Sequence, residues 1–314
     1  MSAYIIRRLI AIPLMLLVLS FILFLLIWIL PGDAAFSGAL SISETGNYDV
    51  ARERFGLDRP WYVQYGDWLG GIFVGDFGES LTPPHDSIMG SVKERLPKTI
   101  EVGLLTIILS AVISVPVGVI SAIRRNKPED YVLRTVTILG ISVPNFWIGT
   151  LIILYSFVWF GWNPIQDWVD FHEDPLTNLA IVIFPAGILA FAGAAYTARI
   201  MRSAMLEVLY SDHVRTARAK GLRERVVIFR HVFRSALIPV LTVLGLQLGS
   251  ILGGAVVAEQ IFAIPGMGLF ALDRILARDY TSLLMIVMIF ATMFMFVTLL
   301  VDVLYTYVDP RIRY

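Results

Sequence analysis

The chain has 314 residues, 57% of them hydrophobic and 16% charged, and its 25 basic and 25 acidic side chains cancel to a formal net charge of zero. That apolar share exceeds the roughly 45 to 50% usual for a soluble domain, so composition points to a membrane protein. Cysteine is absent, which excludes disulfides, thiolate metal sites and a cysteine nucleophile.

The charges cluster between six stretches that carry none: 9–30, 102–123, 135–160, 179–198, 235–258 and 280–301. About 20 residues at 1.5 Å rise each cross a hydrocarbon core roughly 30 Å thick, so each stretch predicts one spanning helix. The chain is therefore expected to be an all-α membrane protein with six transmembrane helices. Arg7 and Arg8 ahead of the first stretch resemble the start of a signal peptide. The apolar run is longer than the 7 to 15 residues of such a segment and lacks a small-residue cleavage site, so a retained helix is expected.

With both termini on the cytoplasmic side, about 17 basic and about 7 acidic residues fall inside, leaving about 8 and about 18 outside, which agrees with the positive-inside rule. Lys93, Arg95 and Lys98 sit on the outer side, but in a loop long enough for the rule to carry little weight.

The first outer segment, from Pro31 to Lys98, contains WYVQYGDWLGGIFVGDFGESL at 61–81. Trp61, Tyr62, Tyr65 and Trp68 lie near helical spacing and predict a short helix anchored at the headgroups, where polar aromatics are favoured. Ile88, Val92 and Leu96 then recur every four residues among charges, which reads as an amphipathic helix on the outer surface leading into the second span.

Small residues recur at four-residue intervals in three spans: Thr106, Ser110, Ser114, Gly118 and Ala122; Ala186, Ala190, Ala194 and Ala198; Gly245, Gly249 and Gly253. Lipid gives helices no hydrophobic reason to associate, so close packing through such stripes has to supply the attraction. Pro116, Pro144, Pro185 and Pro239 lie in or near the spans and are candidate kink positions. Ionisable residues are expected to be missing from membrane depth, unlike in proton-coupled carriers. Asn145 and Gln247 are the main intramembrane amides and are candidates either for lining a pathway or for bonding helix to helix.

No phosphate loop, H-E-x-x-H helix or G-x-S-x-G turn occurs, so no catalysis is expected of this chain alone. His172, Glu173 and Asp174 read as a solvated acidic loop rather than a metal site. No cofactor and no nucleic-acid partner are expected.

The inner loop 199–234 holds nine basic residues, and within it 211–221 reads SDHVRTARAKG. Ser211 or Asp212 can cap a short helix there, and Gly221 can end it in the left-handed conformation. Such a loop suits anionic headgroups. The small, uncharged Ala217 and Ala219 suit insertion into a partner's cleft equally well.

These residues resemble the membrane subunits of binding-protein-dependent ATP-binding-cassette importers, whose cytoplasmic loop reads EAA, three residues, then G. Arg215, Thr216, Ala217 and Gly221 align with that pattern, with Arg in place of the acidic residue and Thr in place of the first Ala, and the family's downstream I-x-L-P is missing at its usual spacing. The stretch HVRTARAKGLRERVVIFRHVFRSALIPVLT at 213–242 is similar to the branch that imports dipeptides, oligopeptides and nickel. AEQIFAIPGMG at 258–268, VGDFGES at 74–80, SVPNFWIG at 142–149 and the terminal DPRIRY point the same way.

The resemblance implies the type I importer permease fold and the first of two permease subunits, in a bacterial inner membrane. It implies a five-helix core over 99–308, with 1–98 supplying a peripheral helix and an outer segment. Asp212, His213, Arg215, Thr216, Ala217, Ala219 and Gly221 would form a coupling helix seated in an ATPase subunit. Glu259, Gln260, Pro265 and Gly266 would form an outer gate or a dock for the substrate-binding protein. The implied partners are a second permease, one or two ATPases that hold ATP and Mg, and that binding protein. Peptides are the expected cargo, with nickel, glutathione or oligosaccharide as alternatives. A self-sufficient secondary transporter would need coupling residues at depth or inverted repeats, and neither is evident.

Overall fold

A computed structural model describes residues 2–29, 56, 58–82 and 85–308. The terminal DPRIRY motif and residues 30–55 of the first outer segment lie outside the described residues, as do the side chains at 250 and 252–254.

The chain is helical, and among the described residues the only β feature is an isolated bridge between Glu79 and Ser87. In chain order the helices are α1 Ser2–Ile29, α2 Trp61–Val74, α3 Ile88–Ile123, α4 Pro128–Ser142, α5 Asn145–Phe160, α6 Pro175–Leu209 and α7 Asp212–Ala219. A helical turn at Glu224–Val226 and a π-helical turn at Val227–Val232 then lead into α8 Phe233–Phe262, followed by α9 Met267–Leu276 and α10 Tyr280–Val308.

Five helical segments are long and apolar enough to cross a membrane: Ile6–Ile29, Ile88–Ile123, Pro175–Leu209, Glu224–Gly249 and Tyr280–Val303. The third predicted span differs from expectation. It is not one helix over 135–160 but the pair α4 and α5, bent by 96°. The cause is local: Pro144 disfavours helical backbone at Val143, which is extended at φ −87° and ψ 127°. Counting that pair as one crossing gives six. Ala255–Phe262 with Met267–Leu276 also passes the same test of length and composition. Its first member is the continuous end of α8, however, so it adds no separate crossing. Pro185 and Pro239, by contrast, sit inside unbroken helices.

The described residues divide into two compact units, one formed by Ile100–Ile264 with the chain from Val297, the other by Ser2–Thr99 with Pro265–Phe296. In the first unit the stripes of α3 and α6 are buried as expected, whereas Gly245 and Gly249 of the α8 stripe are half-buried. Thr106, Ser110, Ser114 and Ala122 of α3 and the alanine stripe of α6 are all at most 3% exposed. A Cβ on Gly118 would stand 2.5 Å from Met201 Cβ and 2.8 Å from the Ala198 carbonyl, so α3 and α6 meet where only glycine fits. Gly245 of α8 similarly faces Val301 of α10 at 2.5 Å.

In the second unit two expectations change. Ile88 and Val92 do not lie on an outer surface: they are the first turns of α3 itself, buried with Met267, Phe270, Met285 and Ile286. The aromatic helix α2 is likewise more than a headgroup anchor. Tyr65 meets the Ser20 hydroxyl at 3.0 Å and packs edge-on against Phe21 of α1, while Trp61 and Tyr62 stay exposed.

Candidate functional site

The inner loop forms the predicted short helix, and its termini follow from sequence. Ser211 is the N-cap residue, but its hydroxyl makes no capping bond and turns to the Val208 carbonyl at 2.6 Å and to His213 Nδ1 at 3.0 Å. Asp212 occupies the first helical position, where a negative charge complements the helix dipole. At the other end Gly221 adopts φ +76°. Its N–H bonds the Arg218 carbonyl at 2.9 Å and the Leu222 N–H reaches back to Ala217 at 3.4 Å, the paired bonds of a Schellman stop.

α7 has two distinct faces. Val214 and Ala217 are buried against Met201 and Met205 of α6, Val119 and Ala122 of α3, and Val227 and Val232 of the π turn. Asp212, His213, Arg215, Thr216, Ala219 and Lys220 are exposed. The expectation that Ala217 offers a small surface to a partner is therefore corrected: its methyl faces inward, because positions three apart on a helix share a side and Val214 sets that side. Ala219 does face outward. Arg215 and Asp212 form an ion pair at 3.3 Å with side chains 79% and 94% exposed, too wet to hold either residue firmly. Arg218 grips Glu224 through both guanidinium arms, at 3.1 and 2.6 Å, and ties the end of α7 to the turn that follows.

A cluster that sequence reasoning missed joins α3, α4 and α6. Asp130, fully buried in the first turn of α4, takes both arms of Arg202 from α6, Nε to Oδ1 at 2.9 Å and Nη2 to Oδ2 at 2.9 Å. The Ser121 hydroxyl at the end of α3 donates to Oδ1 at 2.5 Å, and the Asn126 N–H donates to Oδ2 at 3.0 Å. In the sequence Asp130 reads as an ordinary acidic residue at a helix start and Arg202 as one more positive-inside charge. No spacing links positions 72 apart.

On the outer side, α8 stops at Phe262, where Ala263 turns left-handed at φ +52° and the Ile264 N–H bonds the Glu259 carbonyl at 2.9 Å. Glu259 is fully buried and Gln260 exposed. Pro265 follows, and Gly266 is the extended N-cap residue of α9, whose first N–H, on Met267, is bonded by the Thr99 hydroxyl at 2.8 Å. Glu259 and Gln260 belong to the first compact unit, Pro265 and Gly266 to the second.

The two intramembrane amides diverge. Gln247 bonds Gly193 O and Thr197 Oγ1 of α6, each at 2.9 Å, and accepts from Ser110 of α3 at 3.2 Å, so its amide joins three helices. Asn145, first residue after the α4/α5 break, has a buried Oδ1 without a hydrogen-bond partner among the described residues. The expectation that ionisable groups are missing from the spans also narrows, since Asp130 and Glu259 are buried in protein at helix ends and Glu101 has a buried, unpartnered Oε1. In the outer loop, ligand atoms of Asp170, His172 and Glu173 lie within 4.8 Å of one another, whereas Asp174 caps α6.

Residues 114–314 match the family model described as binding-protein-dependent transport system inner membrane component, and residues 1–103 match that of its N-terminal region. The chain belongs to this family of multi-pass transport subunits. It is 38% identical to the oligopeptide transport system permease protein AppB of Bacillus subtilis, with 100% of both chains covered. It is also 38% identical to the di/tripeptide transport system permease protein DppB of Pseudomonas aeruginosa, covering 93% of each. Among solved structures, an inward-facing MetNI methionine ABC transporter matches with TM-score 0.58 at 16% identity, over 70% of this chain and 97% of that one. An amino acid ABC transporter matches at TM-score 0.54 and 16% identity, over 70% and 94%. At such identity these two show the shared fold.

Proposed function

We propose that the chain is one of two permease subunits of an ATP-driven importer of dipeptides or oligopeptides in a bacterial inner membrane. It would form half of the pathway, with α7 as the helix through which ATPase subunits act. The observation that carries this reading is the two-faced α7, whose apolar side is seated on α3, α6, the π turn and the start of α8 while its charged side is exposed. A lipid-binding loop needs only the charge; a helix that transmits force also needs the seat.

The two full-length relatives named for oligopeptide and di/tripeptide transport favour peptides as cargo. On this reading the partners are a second permease, one or two ATPases carrying ATP and Mg, and an extracytoplasmic binding protein. Asp212, His213, Arg215, Thr216 and Ala219 face the ATPase, with Ala217 and Gly221 shaping the helix from within. Residues 99–308 supply the five-helix core. Glu259, Gln260, Pro265 and Gly266 contribute to an outer gate or dock, and Asn145, with its free oxygen beside a helix break, has the stronger claim to line the path. Nucleotide moves such an assembly only by binding one ATPase arrangement better than another, and α7 carries that difference into the membrane.

Uptake of a labelled dipeptide by cells carrying Arg215→Glu with Gly221→Pro tests the assignment. Transport is expected to vanish while the chain still inserts, and normal uptake rejects the role given to α7.

A further inference from the structure

The buried contact between Asp130 and Arg202 has a position that its stability alone does not explain. Taking a carboxylate and a guanidinium out of water costs several kcal/mol per ion, and apolar residues of similar volume often serve a fold equally well. What a bidentate pair adds is direction, since two arms of Arg202 meet both oxygens of Asp130, each at 2.9 Å.

That direction is applied where it matters for movement. The apolar seat of α7 is built from α3, α6, the π turn and the start of α8, and among the described residues it contains none of α4. α4 docks on α6 through its buried positions Asp130, Thr137 and Gly140: Asp130 holds Arg202, and a Cβ on Gly140 would stand 2.9 Å from Ala195 Cβ, seven residues back along α6. α4 then runs straight into the 96° break before α5. Ser121, the residue before Ala122 of the seat, and Arg202, the residue after Met201 of the seat, both end on the same carboxylate.

We propose that Asp130 and Arg202 form a positioning clasp that fastens α4 to the body carrying α7, so that displacement of α7 reaches the α4/α5 break. The clasp is thus a determinant of coupling rather than of assembly. This rests on the importer reading above.

The test uses the whole complex, purified and reconstituted in nanodiscs, with the ATPase rate measured with and without peptide-loaded binding protein. The wild-type complex must show stimulation; its absence would count against the importer reading itself. Given stimulation, the apolar replacement Asp130→Leu with Arg202→Met is expected to assemble with unchanged thermal stability, yet to lose stimulation by about fivefold or more, the lower end of ordinary coupling free energies. Arg202→Lys, which keeps the charge and loses the fork, is expected to fall in the same direction. If the apolar pair does not assemble, Arg202→Lys decides the matter. Wild-type stimulation in an assembled apolar or Lys variant overturns the proposal, leaving the clasp a structural contact only.

Discussion

Ser80, in the outer segment that follows α2, donates its hydroxyl to Oδ2 of Asp279 at 2.7 Å, across 199 positions of sequence. Arg274 Nη1 closes the cluster by donating to Ser80 Oγ and Thr82 Oγ1, each at 2.7 Å, and Asp279 also accepts from the Ser282 hydroxyl at 2.6 Å at the start of α10. The VGDFGES motif thus ends on a buried carboxylate. Asp279→Ala would leave Arg274 without its carboxylate counter-charge and is expected to cost about 3 to 5 kcal/mol. Ser80→Ala, which removes one partner of that carboxylate, should cost about 1 to 3 kcal/mol. Thermal unfolding in detergent checks both, and a Ser80→Ala midpoint below that of Asp279→Ala would contradict the ranking.

Gly221 separates two effects that a single substitution usually mixes. A Cβ there meets nothing within 4 Å, so Gly221→Ala bears only the left-handed backbone penalty, about 1 to 2 kcal/mol. Gly221→Pro cannot reach φ +76° and loses the N–H that bonds Arg218. Uptake assays should find Gly221→Ala active and Gly221→Pro inactive at equal membrane abundance. Equal activity would mean that the stop of α7 is irrelevant.

The two glycine contacts predict opposite behaviour under compensation. Gly245→Ala drives a methyl into the Val301 side chain, whose two methyl carbons lie 2.5 and 2.6 Å away. Overpacking of that kind costs about 1 to 3 kcal/mol. Adding Val301→Ala should recover much of the loss. Gly118→Ala meets the Ala198 carbonyl as well as Met201, so Met201→Ala should not rescue it. Monodisperse yield by size exclusion distinguishes the two cases, and rescue at Gly118 would contradict the backbone clash.

Asp174 carries a pH dependence of known sign. The Thr177 hydroxyl foremost, with the backbone N–H groups of Thr177 and Leu176, holds its carboxyl below the usual carboxylate range. A depressed folded value means stabilisation that is present above the unfolded value of about 3.9 and lost as pH falls through the folded one. The stability gap between wild type and Asp174→Ala should therefore be full at neutral pH and shrink below about pH 4. A gap that widens on acidification would contradict the capping role.

The number of crossings and the packing stripes of α3 and α6 were legible because lipid imposes them: a charge-free run of spanning length and a repeat of small residues are one-dimensional signals. The stop of α7 at Gly221 was legible for the same reason, being local. The break after Ser142 was only half visible, since Pro144 marked a possible kink without giving its 96° size. Which way Ala217 faces could not be read from its size, because Val214 and the α3 and α6 residues around it decide that. The clasp of Asp130 with Arg202 and the cluster on Asp279 were invisible, since each joins residues whose separate positions have ordinary explanations.

The role proposed for α7 is that of the contact through which ATPase subunits act on this chain. The absence of native cysteine permits a direct measurement. A cysteine is placed at exposed Arg215, the tagged complex is treated with a short bifunctional thiol–amine reagent, and the attached chain is identified by mass spectrometry. A crosslink to an ATPase subunit is expected, absent when the cysteine is moved to exposed Phe73 of α2. Recovery of a complex with its ATPase bound but crosslinked equally from both positions, or from neither, would contradict it.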